Sequence, residues 1–477
     1  MKQKPGWVLP DLKEAQKRTT NIIDRIDTFT IPEAARMMGR GKTYFISTYG
    51  CQANERDSET IAGILDELGF TPNETPENSD VIIINTCAIR QNAEEKVLGE
   101  IGNFKRLYRE NKDLIIGVCG CMAQEEGLVE TLLTKYPQVR LLFGTHNIQE
   151  LPSMLYSCMY DGKKIVKIYS KEGEVYENLP VHRFGTFKAW VNIMYGCDKF
   201  CTYCIVPYTR GKQRSRKMSE ILKEVQQLKD EGYKEITLLG QNVNAYGKDL
   251  HTDYDFATLL EETAKIGIPR IRFTTSHPWD FSDAMIDIIA KYDNIMPFVH
   301  LPMQSGDSDV LKRMGRRYTA ESYKELFDKI SSRIPNVAIS TDIIVGFPNE
   351  TDEQFQHTLD MVKYCKFDNA FTFIYSPREG TPAARMEDSI SKETKSKRLA
   401  ILNKTWNDFA LEKNQAYVGR TVKVLVDGPS KKNENVYTGY TDTNKIVNFT
   451  GENIAVGQIV DVKIECAKTF SLDGKAV

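Results

Sequence analysis

Three cysteines close together in the chain constrain its fold and chemistry more than any other feature. Cys197, Cys201 and Cys204 directly follow a strand candidate, Ala189–Tyr195. Their spacing of three and then two intervening residues fits three ligands of one cubane iron–sulfur cluster, and no fourth cysteine lies nearby. Zinc fits less well, because a zinc site normally needs four ligands. The motif therefore predicts a four-iron cluster whose open iron can chelate S-adenosylmethionine.

The region that carries this motif is predicted to be a run of six strand–helix units. Its strand candidates are Ala189–Tyr195, Glu235–Leu239, Arg270–Thr275, Met296–His300, Val337–Val345 and Asn369–Tyr375. Helix-like segments of ordinary length separate them. Six such units predict a partial (βα)6 barrel over residues 184–413, and the lateral opening of an incomplete barrel would suit a large substrate.

A separate α/β domain is predicted over residues 42–160. Its strand candidates are Thr43–Thr48, Val81–Asn85, Leu114–Val118 and Leu141–Phe143. Strands that are apolar on both faces and alternate with helices indicate a buried parallel sheet. We therefore expect a doubly wound N-terminal α/β domain.

Cysteines follow three successive strands of this domain. Cys51, Cys87 and Cys121 should converge, because parallel strands end at the same edge of a sheet. Three thiolates can hold three irons of a four-iron cluster. The alternative, that they are buried free cysteines, remains open on position alone. Cys119 is still on its strand and is expected to pack in the core, so Cys121 is preferred.

Bulk composition limits the cellular setting and the partners. The chain has 477 residues, 41% hydrophobic and 27% charged, with ten cysteines and a net charge of −2. This is ordinary globular material, without the cysteine density of a disulfide scaffold. No apolar run is long enough for a membrane span or a signal peptide, so a cytoplasmic protein is expected. Affinity for RNA would have to come from local basic patches.

Two regions could supply such patches. Arg210, Lys212, Arg214 and Arg216 form a basic run directly after the cluster loop. Such runs are usually solvated faces, but this position favours contact with substrate phosphates or with a cofactor. Residues 416–477 form short alternating strands, which predict a small C-terminal antiparallel β-barrel. There, Lys431 and Lys432 are candidates for RNA contact, and Phe449 is expected in the core.

Several stretches resemble the radical-SAM methylthiotransferases, specifically the MiaB-type tRNA enzymes. The main one is Tyr195–Arg216, and the supporting ones are Thr48–Asn54, Asn85–Cys87, Gly120–Gln124, Gly240–Gly247 and Asp342–Pro348. The resemblance extends from about Lys42 to the C-terminus, where the β-barrel resembles the TRAM domain. Residues 1–41 are an N-terminal extension outside it, with no predicted function.

The resemblance implies the cofactors and their ligands. Cys51, Cys87 and Cys121 would hold an auxiliary four-iron cluster, and Cys197, Cys201 and Cys204 the radical-SAM cluster, each with one open iron. Predicted contacts to S-adenosylmethionine are Tyr203, Gly240, Gln241, Asn242, Ser276, His300, Gln304, Asp342 and Gly346. Gln241 and Asn242 replace an acidic residue common in radical-SAM proteins, and Asn349 stands where Glu is frequent. Any of these contacts could instead be a satisfied polar residue at the barrel rim.

The implied function is attachment of a methylthio group to C2 of N6-(dimethylallyl)adenosine at tRNA position 37. One S-adenosylmethionine would donate the methyl group and another would yield the 5′-deoxyadenosyl radical, with an external one-electron donor. The expected partner is a tRNA anticodon stem-loop, bound by a monomer. Sister enzymes act on a ribosomal-protein aspartate or on threonylcarbamoyladenosine, but Gln241–Asn244 and Pro207–Arg210 resemble the MiaB type. A non-catalytic iron–sulfur regulator would not need an open iron inside a barrel.

Overall fold

The computed structural model describes residues 4–17, 23–88, 91–171, 173–431 and 433–477. The first large unit is a sheet of six parallel strands with helices on both faces. In sheet order the strands are Thr71–Pro72, Thr43–Tyr49, Val81–Thr86, Ile115–Gly120, Val139–Phe143 and Ile165–Lys167. The two central strands are wholly buried because both of their faces are apolar. The doubly wound α/β prediction is confirmed.

The helices of this unit divide between the two faces of the sheet. Gln52–Glu67 and Leu151–Tyr160 share one apolar core, and Gln91–Glu110 and Glu126–Lys135 share the other. The chain reverses its direction of winding at the strand Thr43–Tyr49, which lies between the strands that follow it in sequence. In open parallel sheets, such a switch point leaves a crevice at the carboxyl ends of the strands, where ligands bind.

The second unit is the predicted partial barrel. Its parallel strands are Lys188–Asn192, Glu235–Leu239, Arg270–Phe273, Phe298–His300, Ala338–Val345 and Asn369–Ile374. They form two three-stranded sheets, joined by a bridge between Ile271 and Ile295. The first and last strands are sheet edges, so the barrel is open between them.

Helices surround this barrel; the short helix Ser308–Arg313 contributes Val310 to a separate apolar cluster, and the others share one apolar core with the strands. The helices are Met218–Asp230, Phe256–Ile266, Asp283–Lys291, Ser308–Arg313, Ala320–Arg333, Asp352–Cys365 and Lys392–Gln415. Several begin at a side chain that accepts a hydrogen bond from the backbone N–H three residues later, as at Thr319 and Thr351. The C-terminal helix, 24 residues long, leads into the last unit.

The last unit is a closed five-stranded barrel. Its strands, in barrel order, are Thr421–Ser430, Asn433–Thr441, Ile446–Thr450, Leu472–Ala476 and Ile459–Ala467. Phe449 lies in its core, as predicted. The pairing of Ile446–Thr450 with Leu472–Ala476 is parallel, whereas the other pairings are antiparallel. The fully antiparallel arrangement expected from the sequence therefore does not hold at this pair.

The N-terminal residues lie against the first two units. The helix Leu12–Gln16 packs beside the short helix Val206–Thr209, with Leu12 and Ala15 on the apolar cluster that contains Cys121. Arg25 pairs with Asp249 at 2.6 Å. Among the described residues, no helix is long and apolar enough to cross a membrane.

Candidate iron–sulfur and cofactor sites

The structure brings Cys51, Cys87 and Cys121 together at the carboxyl edge of the first sheet. Cys51 is the residue before the helix Gln52–Glu67, Cys87 follows the strand Val81–Thr86, and Cys121 begins the turn after Gly120. The Cys87 thiol lies beside both other thiols, and each of them raises its pKa. Strand ends at the switch point thus bring three cysteine sulfurs to one place.

The electrostatics of this set favour thiolates at two of its three members. Interaction with Cys87 lowers the pKa of Cys51 and of Cys121, and the charge of Arg210 lowers both further, whereas Cys121 and Cys51 raise the pKa of Cys87. Arg210 donates from Nε to Cys121 Sγ at 3.2 Å and from Nη2 to Asp57 Oδ2 at 2.7 Å. Thiolates are the metal-binding form of cysteine, so this arrangement suits ligands.

Cys119 behaves differently from Cys121, two residues away. Its side chain lies in the apolar core on one face of the sheet, and burial raises its pKa well above the ordinary value. A buried neutral thiol packs as a small apolar group. The structure therefore separates Cys119 from the three convergent thiols.

Cys197, Cys201 and Cys204 lie in the loop after the strand Met194–Tyr195. The loop is fixed by backbone hydrogen bonds from Cys197 N to Gly211 O (3.1 Å) and from Cys204 N to Cys201 O (3.0 Å). Gly196 begins it at φ +69°, where an added Cβ would lie 2.2 Å from the carbonyl oxygen of Lys212. Only glycine is compatible with this close approach of two backbone segments.

A buried arginine also contacts this second set. Arg316 donates from Nη1 to Cys201 Sγ at 3.3 Å, and the Pro302 carbonyl and the Tyr318 hydroxyl hold its other nitrogens. Burial raises the pKa of Cys197 to about 12. A fixed positive charge offsets the cost of a buried thiolate. Each cysteine set thus has one buried guanidinium on a ligand sulfur.

These donor sets fit four-iron clusters. Each set offers three sulfurs and a buried cation, which matches a cluster with one open iron. Among the residues that the structure describes, no group of three His, Cys, Asp or Glu side chains is close enough to hold a single metal ion.

Unpartnered polar atoms mark the predicted S-adenosylmethionine site. Gln241 Oε1, Asn242 Oδ1 and Gln304 Oε1 are buried without a hydrogen-bond partner among the described residues. A buried unsatisfied polar atom costs about 1–3 kcal/mol, so its persistence needs an explanation. A polar ligand that supplies donors to these oxygens provides one.

His300 and Asp342 lie close together at the barrel rim. His300 Nδ1 is 2.8 Å from Ser340 Oγ, and its Nε2 is 3.4 Å from Asp342 Oδ2. Ser276 donates its hydroxyl proton to the His300 carbonyl, so its side chain supports the backbone here. Gln304 has φ +68°, and its backbone pairs with the strand that carries Asp342.

The remaining predicted contacts have structural partners. Tyr203 packs on an apolar cluster with Ile344 and Phe347. Gly240 lies against Met194, where an added Cβ would be 2.5 Å from Cγ. Gly346 has φ +68°, and its N–H donates to Glu350 Oε2 at 2.8 Å.

Glu350 is a buried carboxylate that the sequence analysis did not single out. It lies next to Asn349 and is paired with Arg398 at 2.9 Å. Asn349 itself donates to the Glu387 carbonyl. Arg316 was also missed, because no local sequence pattern distinguishes either residue from ordinary surface charges.

The structure corrects part of the predicted RNA surface. Arg210, Arg214 and Arg216 are only 5%, 5% and 4% exposed. Carboxylates of other elements neutralise two of them: Asp57 pairs with Arg210, and Glu177 and Glu224 pair with Arg216. Buried and paired in this way, Arg210 and Arg216 do not present their charge to RNA phosphates.

The lysines of the predicted RNA surface and Arg214 lie in different environments from Arg210 and Arg216. Arg214 lies over the Tyr195 ring at 5.8 Å, Lys212 is half-buried and Lys431 is exposed. Lys432 lies outside the described residues. Of the described members of the predicted surface, Lys431 has the most accessible charge.

Arg216 gives a prediction for stability. Replacing Arg216 with methionine leaves Glu177 and Glu224 without this partner, so we expect the free energy of unfolding to fall by about 3–5 kcal/mol. Urea unfolding followed by circular dichroism measures the change. Lys217→Met is the control, because the pair of Lys217 with Asp27 is exposed and should contribute little. Equal effects of the two substitutions would contradict a buried network at Arg216.

Wild type and Arg216→Met should differ less in their free energy of unfolding at acidic pH. Burial alone would raise the pKa of Glu224, but Arg216, Arg56 and Arg183 lower it from 4.5 to about 2. A carboxylate whose pKa is lower in the folded state stabilises that state above the unfolded pKa and loses this effect as the pH falls. The difference between wild type and Arg216→Met should therefore shrink as the pH falls from 4.5 towards 2. A difference that grows over that range would contradict the assignment.

Family models match three segments of the chain. They are the Radical SAM superfamily over residues 191–362, the uncharacterized protein family UPF0004 over 43–144 and the TRAM domain over 415–477. Together they cover the cluster loop and most of the barrel up to residue 362, most of the sheet that carries the other three cysteines, and the C-terminal β-barrel.

Curated relatives match almost the whole chain. A Bacillus cytotoxicus protein is 56% identical, over 98% of this chain and 92% of its own length. A Bacillus licheniformis protein is 55% identical, over 99% and 93%, and a Staphylococcus epidermidis protein is 55% identical, over 98% and 91%. Each is named tRNA-2-methylthio-N(6)-dimethylallyladenosine synthase.

Solved structures share the fold at low identity. The radical S-adenosylmethionine methyltransferase TsrM from Kitasatospora setae, with cobalamin and a [4Fe-4S] cluster bound, gives a TM-score of 0.54 at 12% identity. The match covers 72% of this chain and 74% of that chain. A second TsrM structure, with tryptophan and a SAM analogue, gives 0.52 at 14% identity, over 72% and 75%.

Proposed function

The chain belongs to the family of tRNA-2-methylthio-N(6)-dimethylallyladenosine synthases, and from that premise we propose that its two cysteine sets act together on one adenosine. It is a radical-SAM transferase that attaches a methylthio group to N6-(dimethylallyl)adenosine in tRNA. Its cofactors are [4Fe-4S] clusters and S-adenosylmethionine. We further propose which residues hold these cofactors and where the substrate lies.

The observation that carries this proposal is the contact of Cys121 with the segment that follows Cys204. Cys121 packs with Ile205 and Tyr208, which follow Cys204 in the chain. Arg210, a few residues further on, contacts Cys121 Sγ. The ligands of the two proposed clusters are therefore joined by one short segment. Two groups so placed can act on one substrate base without large movement of the protein.

We propose the following roles. Cys51, Cys87 and Cys121 hold the auxiliary cluster, and Cys197, Cys201 and Cys204 hold the radical-SAM cluster. When bound, these clusters and S-adenosylmethionine supply the sulfur attachment point, the methyl group and the one-electron chemistry. Gln241, Asn242 and Gln304 would bind polar groups of S-adenosylmethionine through their unpartnered oxygens. The buried guanidiniums of Arg210 and Arg316 would hold one ligand sulfur of each set in place.

The setting of the reaction is part of the proposal. The adenosine would be at position 37 of a tRNA anticodon stem-loop, turned out of its stack to reach the barrel opening. Lys431, exposed at the tip of the C-terminal barrel, would contact its backbone. We propose a cytoplasmic monomer that receives electrons from an external one-electron donor. The predicted divisions 1–41, 42–160, 184–413 and 416–477 would serve as extension, auxiliary-cluster domain, radical-SAM barrel and RNA-binding barrel.

The test is an anaerobic assay. The protein is reconstituted with iron and sulfide and given reductant, S-adenosylmethionine and an anticodon stem-loop with N6-(dimethylallyl)adenosine. Mass spectrometry of nucleosides and small molecules should show a methylthio mass gain together with 5′-deoxyadenosine and S-adenosylhomocysteine. Cleavage of S-adenosylmethionine without a change in the nucleoside would contradict this substrate. It would favour a ribosomal-protein aspartate or threonylcarbamoyladenosine instead.

A further inference from the structure

Two large apolar side chains are left exposed on the last strand of the barrel. Phe371 is 48% exposed and Phe373 is 42% exposed, although both lie in the strand Asn369–Ile374. They are two residues apart, and alternate residues of a strand share a face. The two exposed rings therefore form one continuous apolar patch on an edge strand beside the barrel opening.

This patch faces the interior of the barrel. The alternating residues of this strand point the other way. Ala370 and Ile374 pack in the core shared with the helices, and Thr372 Oγ1 donates to Asn403 Oδ1 on the C-terminal helix at 2.6 Å. The Phe371 ring meets the His300 ring edge-on, with centroids 6.1 Å apart. The two phenylalanines thus line the space into which the cofactor-site residues also point.

The patch is continuous with the candidate cofactor site. In the parallel pairing of the last two strands, Phe371 is opposite Asp342 and Phe373 is opposite Ile344. Ile344 in turn packs against the same buried apolar cluster, around Phe347, as Tyr203 of the cluster loop. An apolar strip therefore extends from the cluster loop to the barrel edge, beside the polar pair of His300 and Asp342.

We propose that Phe371 and Phe373 bind the dimethylallyl group of the substrate and so select the prenylated adenosine. This inference rests on the proposed function. The dimethylallyl group is a branched, five-carbon apolar substituent, and burying it against two exposed rings removes apolar surface of both partners from water. A substituent that carries a carboxylate, such as threonylcarbamoyl, would lose part of its hydration against these apolar rings, which is costly for a charged group. The strip therefore favours one N6 substituent and disfavours the other.

The test compares binding of two stem-loops that differ only in the N6 group. Fluorescence anisotropy measures the affinity of the reconstituted protein for the loop with dimethylallyladenosine and for the loop with adenosine. Wild type should prefer the prenylated loop. In Phe371→Ala/Phe373→Ala that preference should fall roughly 10-fold or more, because even one methylene in an apolar pocket is worth about 10–200-fold. Phe371→Leu/Phe373→Leu should restore most of it.

Controls separate this idea from its alternatives. Phe470→Ala removes a phenylalanine that is 64% exposed on the C-terminal barrel, and it should leave the preference unchanged. The double alanine variant should bind S-adenosylmethionine as wild type does. Weakened S-adenosylmethionine binding, or an equal loss of affinity for both loops, would overturn the proposal. Failure of wild type to methylthiolate the prenylated loop would instead overturn the proposed function.

Discussion

Cys201→Ala is expected to reduce the formation of 5′-deoxyadenosine from S-adenosylmethionine to the background rate. Cys201 is the middle cysteine of the second set and the one whose sulfur Arg316 contacts. Without it, two thiols remain, which is too few to hold the cluster in a form with a single open iron. The measurement is the amount of 5′-deoxyadenosine formed anaerobically with reductant, with or without RNA.

The matched control for this substitution is Cys466→Ala. Cys466 is an exposed cysteine on the C-terminal barrel, far along the chain from either set. Its removal should leave both iron content and 5′-deoxyadenosine formation unchanged. Thermal unfolding of both variants tests whether Cys201→Ala still folds. Retention of 5′-deoxyadenosine formation by folded Cys201→Ala would refute the ligand assignment.

The convergence of Cys51, Cys87 and Cys121 could be predicted because it depends on strand order alone. Each cysteine follows a run of apolar residues, and parallel strands end at one edge. The choice of Cys121 over Cys119 was also accessible, since it required only the strand end at Gly120. The pattern of apolar residues along the chain is enough to predict where such strands end.

The burial and ion pairing of Arg210 and Arg216 could not be predicted in the same way. Their local sequence is a basic run, and a basic run is normally solvated. Their burial depends on Asp57 and Glu177, which are distant in the sequence and reach them only in the folded chain, and on Glu224 of the helix that follows Arg216. Buried ion pairs between distant residues leave no periodic signal in one sequence.

The parallel pairing of two strands in the C-terminal barrel could not be predicted, for a related reason. The strand Leu472–Ala476 is short and follows another strand closely, which suggests a simple hairpin. It does pair antiparallel with its predecessor, but its other edge closes the barrel against Ile446–Thr450. Closure is a property of the whole sheet, so the direction of the last pairing cannot be obtained from neighbouring strands.

Cys87→Ala is expected to separate the two halves of the chemistry. Cys87 lies beside both other members of its set, and its removal leaves two thiols, so the auxiliary cluster should not form. The set around Cys201 lies in a different loop and should still hold its cluster. The variant should therefore bind about half of the wild-type iron, continue to form 5′-deoxyadenosine, and form no methylthio product.

Cys119→Ala is the control that makes the Cys87→Ala experiment specific. Cys119 is a buried cysteine of the same sheet that packs in an apolar core instead of joining the three thiols. Its substitution should lower stability modestly, because the cavity left by one sulfur is small, and should preserve the methylthio product. Two results would contradict the two-cluster assignment: methylthio product from Cys87→Ala, or its complete loss from folded Cys119→Ala. Loss of 5′-deoxyadenosine formation in Cys87→Ala would show that the two sites do not form independently.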